Sequence, residues 1–470
     1  MKKVLSALVG LLVCAASYAQ LGLAEIFTDN MVLQRDKPVN VWGTAAPGAK
    51  VDVSIARNKV RVVAGADGSW RAVLAPMPSD GTPQTLTVRS GREKLTLHNV
   101  LLGEVWLASG QSNMEFNMGP LWEKGTWKQM APAVGENVQQ RTLDAVAAAD
   151  VAGKGSAEPL IRLMRIRKVL DKEKLPTDGW SEVDSVSIKY FSATAYYFAK
   201  NVSDSLGVPV GIICSSWGGS PIQDWMPGGN RYECMIAPIA PFTLRGFLWY
   251  HGETNLINGE TGSYASMQKT LVSGWRRAWE DDSLPFYYVQ IAPHLYSRRK
   301  NGAAENAYTA LAEFWAVQES IMKDDPLTGM VVINDLADDL GDIHPTYKWE
   351  VGRRLSLWAL NKVYGRDDIV CRSPSVRSAE LSGQTVRVVF DCYGSSLATR
   401  DGKAPDSFLL WNGKDKWVAA QTRIDGDAVI VSSPSVRKPT ELRFAWDEEA
   451  QPNLMNAEGL PVGAFSISLP

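Results

Sequence analysis

The chain has 470 residues, of which 45% are hydrophobic and 21% are charged, a composition typical of a large globular protein and unlike that of a fibrous or disordered one. Its 49 Lys and Arg residues nearly balance its 51 Asp and Glu residues, leaving a formal net charge of −2. This balance argues against a nucleic-acid partner and against a polybasic membrane-surface binder. The 17 Trp residues outnumber both Tyr and Phe, and such aromatic plates suit sugar rings as well as cores.

Residues 1–19 are typical of a secretory signal peptide. Two lysines precede an apolar run over residues 4–16, and Ser17-Tyr18-Ala19 places small residues at a cleavage site before Gln20. This run is too short to span a bilayer, and no other run reaches 18 apolar residues. We therefore expect a secreted or periplasmic protein without a membrane span.

Both ends of the mature chain predict short strands separated by turns. Residues 20–100 and 366–470 combine alternating apolar positions with frequent turn signals, which indicates two small β-sandwich-like domains. The strands expected there include Val39–Trp42, Val51–Ile55, Leu95–Leu97, Val386–Phe390, Phe408–Trp411, Ala428–Val431 and Leu442–Trp446.

The middle of the chain, residues 101–365, predicts an α/β domain. Its apolar runs do not alternate, which is typical of strands buried on both faces of a parallel sheet. Helical spacing separates them, and residues 116–160 indicate a long insertion after the first run. The expected strands are Leu101–Ala108, Val208–Cys214, Phe247–Tyr250, Phe286–Ile291 and Met330–Ile333, and the clearest helices are Phe191–Leu206 and Trp349–Leu360.

Polar, glycine-containing segments follow four of these runs. Ligands of open parallel sheets bind beyond the carboxyl ends of the strands, so we expect these segments to converge. They are Gly110-Gln111-Ser112-Asn113, Ser215 to Ser220, His251 to Asn255, and the segment from Asp335 to Pro345.

A nucleophilic serine needs a base, and the sequence has four histidines. His98 lies in the strand-rich N-terminal part, His294 has no acidic neighbour and His251 precedes a glycine. His344 follows a carboxylate-rich loop before the last helix of the α/β part, which makes it the best candidate base. A helix-capping role is its structural alternative.

Other chemistries fit the sequence poorly. The G-x-S-x-G, H-E-x-x-H, Walker A and G-x-G-x-x-G patterns are absent, so the common hydrolase elbow, metalloprotease, NTPase and dinucleotide sites are not expected. Cys214, Cys234, Cys371 and Cys392 show no C-x-x-C spacing, which argues against a zinc or redox site. A Cys371–Cys392 bridge and buried free thiols both remain open. We expect no metal or other cofactor.

The four segments together resemble the blocks of SGNH-type carbohydrate esterases, and within them the sialate O-acetylesterase-like family. The matching residues are Gly110-Gln111-Ser112-Asn113, Trp217-Gly218-Gly219-Ser220, Trp249 to Asn255 and Asp342-Ile343-His344-Pro345. Met31 to Arg35, Asn453 to Asn456 and Gly459-Leu460-Pro461 extend the resemblance over nearly the whole mature chain. The resemblance implies an SGNH-hydrolase-like parallel sheet domain between the two β-rich ends.

By this resemblance Ser112 is the nucleophile, His344 is the general base, and the backbone N–H groups of Ser112 and Gly219 form two parts of an oxyanion hole. The family usually has Gln where this chain has His251, so the third donor is either His251 or Asn255.

The acid of the triad is also unusual in this chain. Many SGNH enzymes have Asp three residues before the catalytic His, where this chain has Gly341. Asp342 or Asp339 would replace it, and a Ser–His dyad oriented by a backbone carbonyl is the alternative.

Five side chains are expected to contact the substrate: Gln111, Asn113, Gln223, Trp225 and Glu253. Instead of contacting the substrate, Glu253 could form an ion pair with a loop Arg. Trp225 could instead pack in the core.

These features predict a secreted or periplasmic esterase that removes acetyl groups from O-acetylated carbohydrates, with sialate esters as the substrate that the family implies. Acetylated xylan or xyloglucan is the neighbouring alternative. A non-catalytic carbohydrate-binding protein is the alternative of another class, but it would not need Ser112 and His344 together.

Exported protein from a native-like host is expected to begin near Gln20, because the charged start and the short apolar run direct export and cleavage. N-terminal sequencing of the exported material tests this expectation, and Met1 on that material would contradict it.

Overall fold

The computed structural model describes residues 20–119, 160–298, 307–337, 339–414 and 416–470. The predicted signal peptide and residues 120–159 of the predicted insertion lie outside these ranges. Within them the chain has a mixed α/β fold around one large mixed sheet. No helix of these residues is long and apolar enough to cross a membrane.

The N-terminal part consists of short strands whose inward residues alternate with exposed ones, as the sequence predicts. The first, third and sixth strands form a three-stranded sheet, and the others join the large sheet. The strands are β1 (Gly22–Leu23), β2 (Val32–Gln34), β3 (Val39–Thr44), β4 (Lys50–Ile55), β5 (Asn58–Val63), β6 (Ser69–Leu74) and β7 (Gln84–Ser90).

Strand β8 (Glu93–Gly110) runs through both parts of the structure. Its first half pairs with β7 in antiparallel fashion, and its second half lies in the middle of the parallel strands. The boundary predicted between residues 100 and 101 therefore falls inside one continuous strand.

Six strands form the parallel core of the large sheet, in the order β9-β11-β8-β12-β13-β14, with β10 antiparallel at the β9 edge. Every residue of β11 to β14 is buried, because helices and loops cover both faces, and this explains the apolar runs without alternation. The strands are β9 (Ile161–Ile166), β10 (Thr177–Glu182), β11 (Val210–Ser216), β12 (Gly246–Tyr250), β13 (Phe286–Val289) and β14 (Thr328–Val331).

Helices alternate with these strands. The second helix begins at a Ser192 side chain that accepts from the Ala195 N–H and ends at Gly207 in a left-handed conformation. It confirms the helix predicted at Phe191–Leu206, and the last helix confirms that predicted at Trp349–Leu360. The helices are α1 (Ser112–Glu115), α2 (Ala193–Leu206), α3 (Glu253–Ile257), α4 (Thr261–Ala278), α5 (Ala310–Ser320) and α6 (Lys348–Lys362).

The C-terminal part contains two four-stranded antiparallel sheets, β15-β16-β21-β20 and β19-β18-β22-β24, and the pair β17-β23. Cys371 and Cys392, like Cys214 and Cys234, are buried free cysteines, which was the second alternative for them. The strands are β15 (Ser375–Ser382), β16 (Thr385–Asp391), β17 (Leu397–Thr399), β18 (Phe408–Trp411), β19 (Trp417–Ala419), β20 (Gln421–Asp425), β21 (Ala428–Ser432), β22 (Glu441–Phe444), β23 (Leu454–Asn456) and β24 (Phe465–Ser468).

A buried carboxylate, Glu104, joins the N-terminal part to the α/β core. It accepts from Arg35 Nε at 2.6 Å, from Arg245 Nε at 2.7 Å and from Gln34 Nε2 at 3.0 Å. Burial raises the pKa of Glu104, but the hydrogen bond and charge of Arg245, together with the hydrogen bonds from Arg35 and Gln34, outweigh burial and lower the pKa below its ordinary value of 4.5. The Met31 to Arg35 segment noted in the sequence thus has a structural role here.

Glu104→Gln is expected to lower the free energy of unfolding near neutral pH by about 3–5 kcal/mol, because both guanidinium groups lose their carboxylate. A lowered folded pKa means that the carboxylate contributes stability above its unfolded pKa and loses it as pH falls through the folded pKa. The stability difference between wild type and variant should therefore shrink in acid. Denaturant unfolding at several pH values tests this, and a difference independent of pH would contradict it.

Candidate active site

The parallel strands bring the predicted polar segments to one edge of the sheet. Ser112 follows β8, the 217–222 segment follows β11, and His251 follows β12. The segment that carries His344 follows β14 and leads into α6. The contacts between these segments define the site.

Gly110 allows the nucleophile segment to approach the end of β12 closely. Its φ is +138°, and a Cβ added there would lie 2.2 Å from the Tyr250 carbonyl oxygen. The next residue, Gln111, donates its N–H to the same oxygen at 3.1 Å. Only glycine fits this backbone position, and it places half-buried Ser112 at the first residue of α1.

The Asn113 side chain joins three of the segments. Its Nδ2 donates to Glu253 Oε1 at 2.6 Å and to the Ile343 carbonyl at 3.1 Å, and its Oδ1 accepts from Lys348 Nζ at 2.6 Å. Asn113 and Ile343 are the direct neighbours of Ser112 and His344. These bonds therefore hold the predicted nucleophile and base segments together.

Glu253 and Lys348 both hydrogen-bond to the Asn113 side chain, and both of their side chains are buried. Burial raises the pKa of Glu253, while the Asn113 hydrogen bond and the Lys348 charge oppose that shift. The Lys348 ammonium also lies over the rings of Phe116 and Tyr250, at 5.1 and 5.2 Å from their centroids. Among the described residues, Glu253 thus accepts from an amide and interacts with a lysine, and none of the described arginines pairs with it.

Residues 217–222, here called the glycine turn, lie directly against Ser112. A Cβ added to Gly218 would be 3.2 Å from the Ser112 Cβ. The Gly218 N–H donates to Glu115 Oε2 at 2.6 Å, so it is not free for a substrate. Gly219 is exposed and has a φ of +73°. Neither the Gly219 N–H nor the Ser112 N–H donates to an acceptor among the described residues. These two N–H groups are thus open to an oxyanion.

His344 lies at the surface of the site, with 34% of its side chain exposed. Its Nδ1 is 3.3 Å from Asp342 Oδ1, and the same oxygen accepts the His344 N–H at 2.9 Å. Asp339 instead accepts the Gly341 N–H at 2.7 Å. The geometry therefore favours Asp342 over Asp339 as the carboxylate beside this imidazole.

His251 and Asn255, the two candidates for a third oxyanion donor, are both fully buried. His251 Nε2 lies 2.8 Å from the Ser220 carbonyl, and Nδ1 lies 3.1 Å from the Tyr264 hydroxyl. Asn255 Oδ1 accepts the Ile222 N–H at 3.0 Å, and its Nδ2 donates to Gln223 and Glu260. Both side chains thus face the back of the glycine turn.

The side chains predicted to contact sugar differ in their exposure. Gln223 is exposed and donates to Glu260 at 3.2 Å, so it lies at the rim of the site. Trp225 is fully buried, donates to Ser220 Oγ at 2.8 Å and packs edge-on against Trp249, which fits the alternative of core packing. Gln111 is buried, and its Oε1 has no hydrogen-bond partner among the described residues. Asn113 and Glu253 lie beneath the site, bonded to each other.

Two residues of the site were missed by the sequence analysis. Glu115 lies three positions after Ser112 and holds Gly218, while its other oxygen accepts from Lys168 Nζ at 2.5 Å. Lys348 lies four positions after His344, at the start of α6. The sequence shows that these residues lie close to Ser112 and His344, but their hydrogen-bond partners, Gly218 and Asn113, belong to distant segments. Among the described residues no group of three or more His, Cys, Asp or Glu side chains is placed to hold a metal ion.

Gly110→Ala is expected to reduce both stability and activity, with Gly259→Ala as its control. Both changes put a side chain on a backbone of positive φ, but only at Gly110 does the new Cβ meet a backbone atom, since nothing lies within 4 Å at Gly259. Backbone strain costs about 1–2 kcal/mol at Gly259, whose φ of +74° lies in the left-handed region. At Gly110, whose φ of +138° lies outside that region, we expect about 1–3 kcal/mol of strain and about 1–3 kcal/mol more from overpacking. Thermal unfolding and ester turnover test this, and equal losses in the two variants would contradict it.

Comparison with known proteins identifies the family of this chain. The family model described as carbohydrate esterase, sialic acid-specific acetylesterase, matches residues 102–356, more than half of the chain. The sialate O-acetylesterase of Homo sapiens is 28% identical over 478 residues, which cover 90% of this chain and 87% of that protein. The enzyme of the same name from Mus musculus is 28% identical over 497 residues, covering 89% of this chain and 88% of that protein.

A solved structure shows the same fold over almost the full length. The crystal structure of a carbohydrate acetylesterase from Xanthomonas citri superposes with a TM-score of 0.82 and 32% identity, covering 95% of this chain and 99% of that one. These findings confirm the resemblance seen in the sequence blocks. The chain belongs to the carbohydrate esterase family of sialic acid-specific acetylesterases.

Proposed function

We propose that this protein hydrolyses acetyl esters of carbohydrates with Ser112 as nucleophile and His344 as general base, in an SGNH-hydrolase-like domain flanked by β-sandwich-like regions. Family membership supports the reaction class: it is an esterase acting on acetylated sugars. The observation that carries the residue assignment is the Asn113 bond to the Ile343 carbonyl at 3.1 Å, which ties the segment of Ser112 to that of His344.

The first half of the reaction forms an acetyl-enzyme. Ser112 Oγ attacks the acetyl carbonyl carbon while His344 takes the hydroxyl proton. The Ser112 and Gly219 N–H groups donate to the oxyanion of the tetrahedral intermediate. Collapse of that intermediate breaks the bond between the acetyl carbon and the sugar oxygen. His344 gives its proton to that oxygen, which leaves as a sugar hydroxyl.

The second half repeats these steps with water. His344 takes a proton from the water, whose oxygen attacks the acetyl carbon. Collapse of the second intermediate breaks the bond between the acetyl carbon and Ser112 Oγ. His344 returns its proton to Ser112 Oγ, and the acetic acid that leaves ionises to acetate. Asp342, 3.3 Å from His344 Nδ1, favours the imidazolium that forms in each half. All these groups belong to this chain.

Sialate O-acetyl esters are the proposed substrates, because the family and its relatives carry that description. Esters on xylan or xyloglucan remain the alternative, since the same backbone and side-chain groups perform the chemistry on either sugar. We further propose that the protein acts outside the cytoplasm, on the basis of the predicted signal peptide.

The experiment that tests the function measures acetate released from a panel of 9-O-acetyl sialosides and acetylated xylan and xyloglucan oligomers. Preference for sialosides supports the proposal, and preference for hemicellulose supports the alternative. Absence of release from every acetylated sugar, together with inactivity on p-nitrophenyl acetate, would refute the esterase.

Ser112→Ala and His344→Ala are each expected to lower kcat by about 10³-fold or more, and the double variant should lose little further because the two side chains act as one unit. Asp342→Asn should cost less than either, since it leaves the base in place. Steady-state kinetics on an acetyl ester tests this, with Asp339→Asn as the matched control in the same loop. Near wild-type activity of His344→Ala would show that another group is the base.

A further inference from the structure

The glycine turn is held from behind by several elements. Glu115 accepts the Gly218 N–H at 2.6 Å, and Trp225 donates to Ser220 Oγ, which itself donates to the Trp217 carbonyl. Asn255 accepts the Ile222 N–H at 3.0 Å. The Trp217 N–H donates to the Gly110 carbonyl at 3.1 Å. The carbonyl of Ser220, the residue after Gly219, lies 2.8 Å from His251 Nε2.

The tautomer of His251 follows from its neighbours. A backbone carbonyl is only an acceptor, so Nε2, 2.8 Å from the Ser220 oxygen, must carry the proton. Burial first, and then the charge of Arg231, lower the pKa of His251 to about 3, although the Ser220 hydrogen bond opposes this shift. The ring is therefore neutral at ordinary pH, with one N–H to donate and Nδ1 facing the Tyr264 hydroxyl at 3.1 Å.

Packing leaves the imidazole no freedom to turn toward a substrate. Its ring stacks on Trp249, with centroids 4.8 Å apart and planes at 20°. The Tyr264 hydroxyl donates to the His251 carbonyl at 3.0 Å, which fixes the backbone of the same residue. Since the single N–H is already donated to Ser220, no proton remains for the oxyanion.

We propose that His251 is a positioning residue, whose Nε2–H holds the Ser220 carbonyl and thereby keeps the neighbouring Gly219 N–H in place for the oxyanion. This inference rests on the proposed function. Oxyanion donors act only when they are held in position before the charge develops, and a displacement of about 1 Å at such a site can cost about 10²-fold in rate. A Gln side chain at this position would also offer an N–H to the carbonyl.

The test compares His251→Ala and His251→Gln with wild type. His251→Ala is expected to lower kcat on an acetyl ester by about 10–100-fold with KM changed less than about threefold, since the donor acts on the transition state. His251→Gln should recover most of the loss, because its amide can donate to Ser220. Since neutral His251 does not titrate, the pH profile of kcat should keep its shape in His251→Gln. Tyr264→Phe is the matched control, because it alters the same pocket but leaves the Nε2–H to Ser220 bond.

Hydrogen–deuterium exchange over residues 217–225 gives a readout independent of activity. Positioning predicts faster exchange of this peptide in His251→Ala and normal exchange in His251→Gln and Tyr264→Phe. If His251→Ala does not fold, His251→Leu keeps the volume without the donor and replaces it in both measurements.

Three results would overturn the inference. They are unchanged kcat in folded His251→Ala, a His251→Gln variant as slow as His251→Ala, and a slow His251→Ala variant whose glycine turn exchanges normally, which would indicate a direct oxyanion contact. Inactive wild-type protein would instead refute the proposed function, while the exchange data would still decide whether His251 holds the turn.

Discussion

The buried amide of Asn113 is the interaction on which the site depends. A primary amide offers two N–H donors and a carbonyl acceptor, and here they bond to Glu253, Ile343 and Lys348, all of which are far from Asn113 in the chain. Loss of any one of these hydrogen bonds would leave buried polar groups unpaired, which is costly. The segments are therefore stable only together. Ser112 and His344, the proposed catalytic residues, are thus placed by the contacts of a neighbouring residue.

A buried arginine joins a second set of chain segments near the site. Arg354 of α6 is fully buried and donates to both oxygens of Asp335, at 2.7 and 2.6 Å, and to Glu350 at 2.9 Å. Asp335 begins the segment that carries His344, and the adjacent Asn334 donates to the Val462 carbonyl of the C-terminal part at 2.8 Å. The β-rich end of the chain therefore contacts the base segment, and it is part of the scaffold of the site.

The role of His251 differs between the sequence and the structure. From the sequence, an imidazole near the oxyanion hole suggests a donor to the substrate. In the structure, its one proton is directed at the protein backbone by a carbonyl 2.8 Å away, and burial keeps the ring neutral.

The sequence alone determined most of the strands and two long helices, because periodicity and turn residues are local properties. It also predicted that four polar segments converge, since they follow buried strands whose carboxyl ends meet at one edge of the sheet. Only the tertiary structure decided which groups those residues contact. The partners of Asn113, Glu253, His251 and Asn255 lie in distant segments, so no spacing predicts them. Burial in particular is a property of the assembled fold and cannot be read from a short stretch of residues. It explains why Trp225 is a core residue and why His251 is neutral.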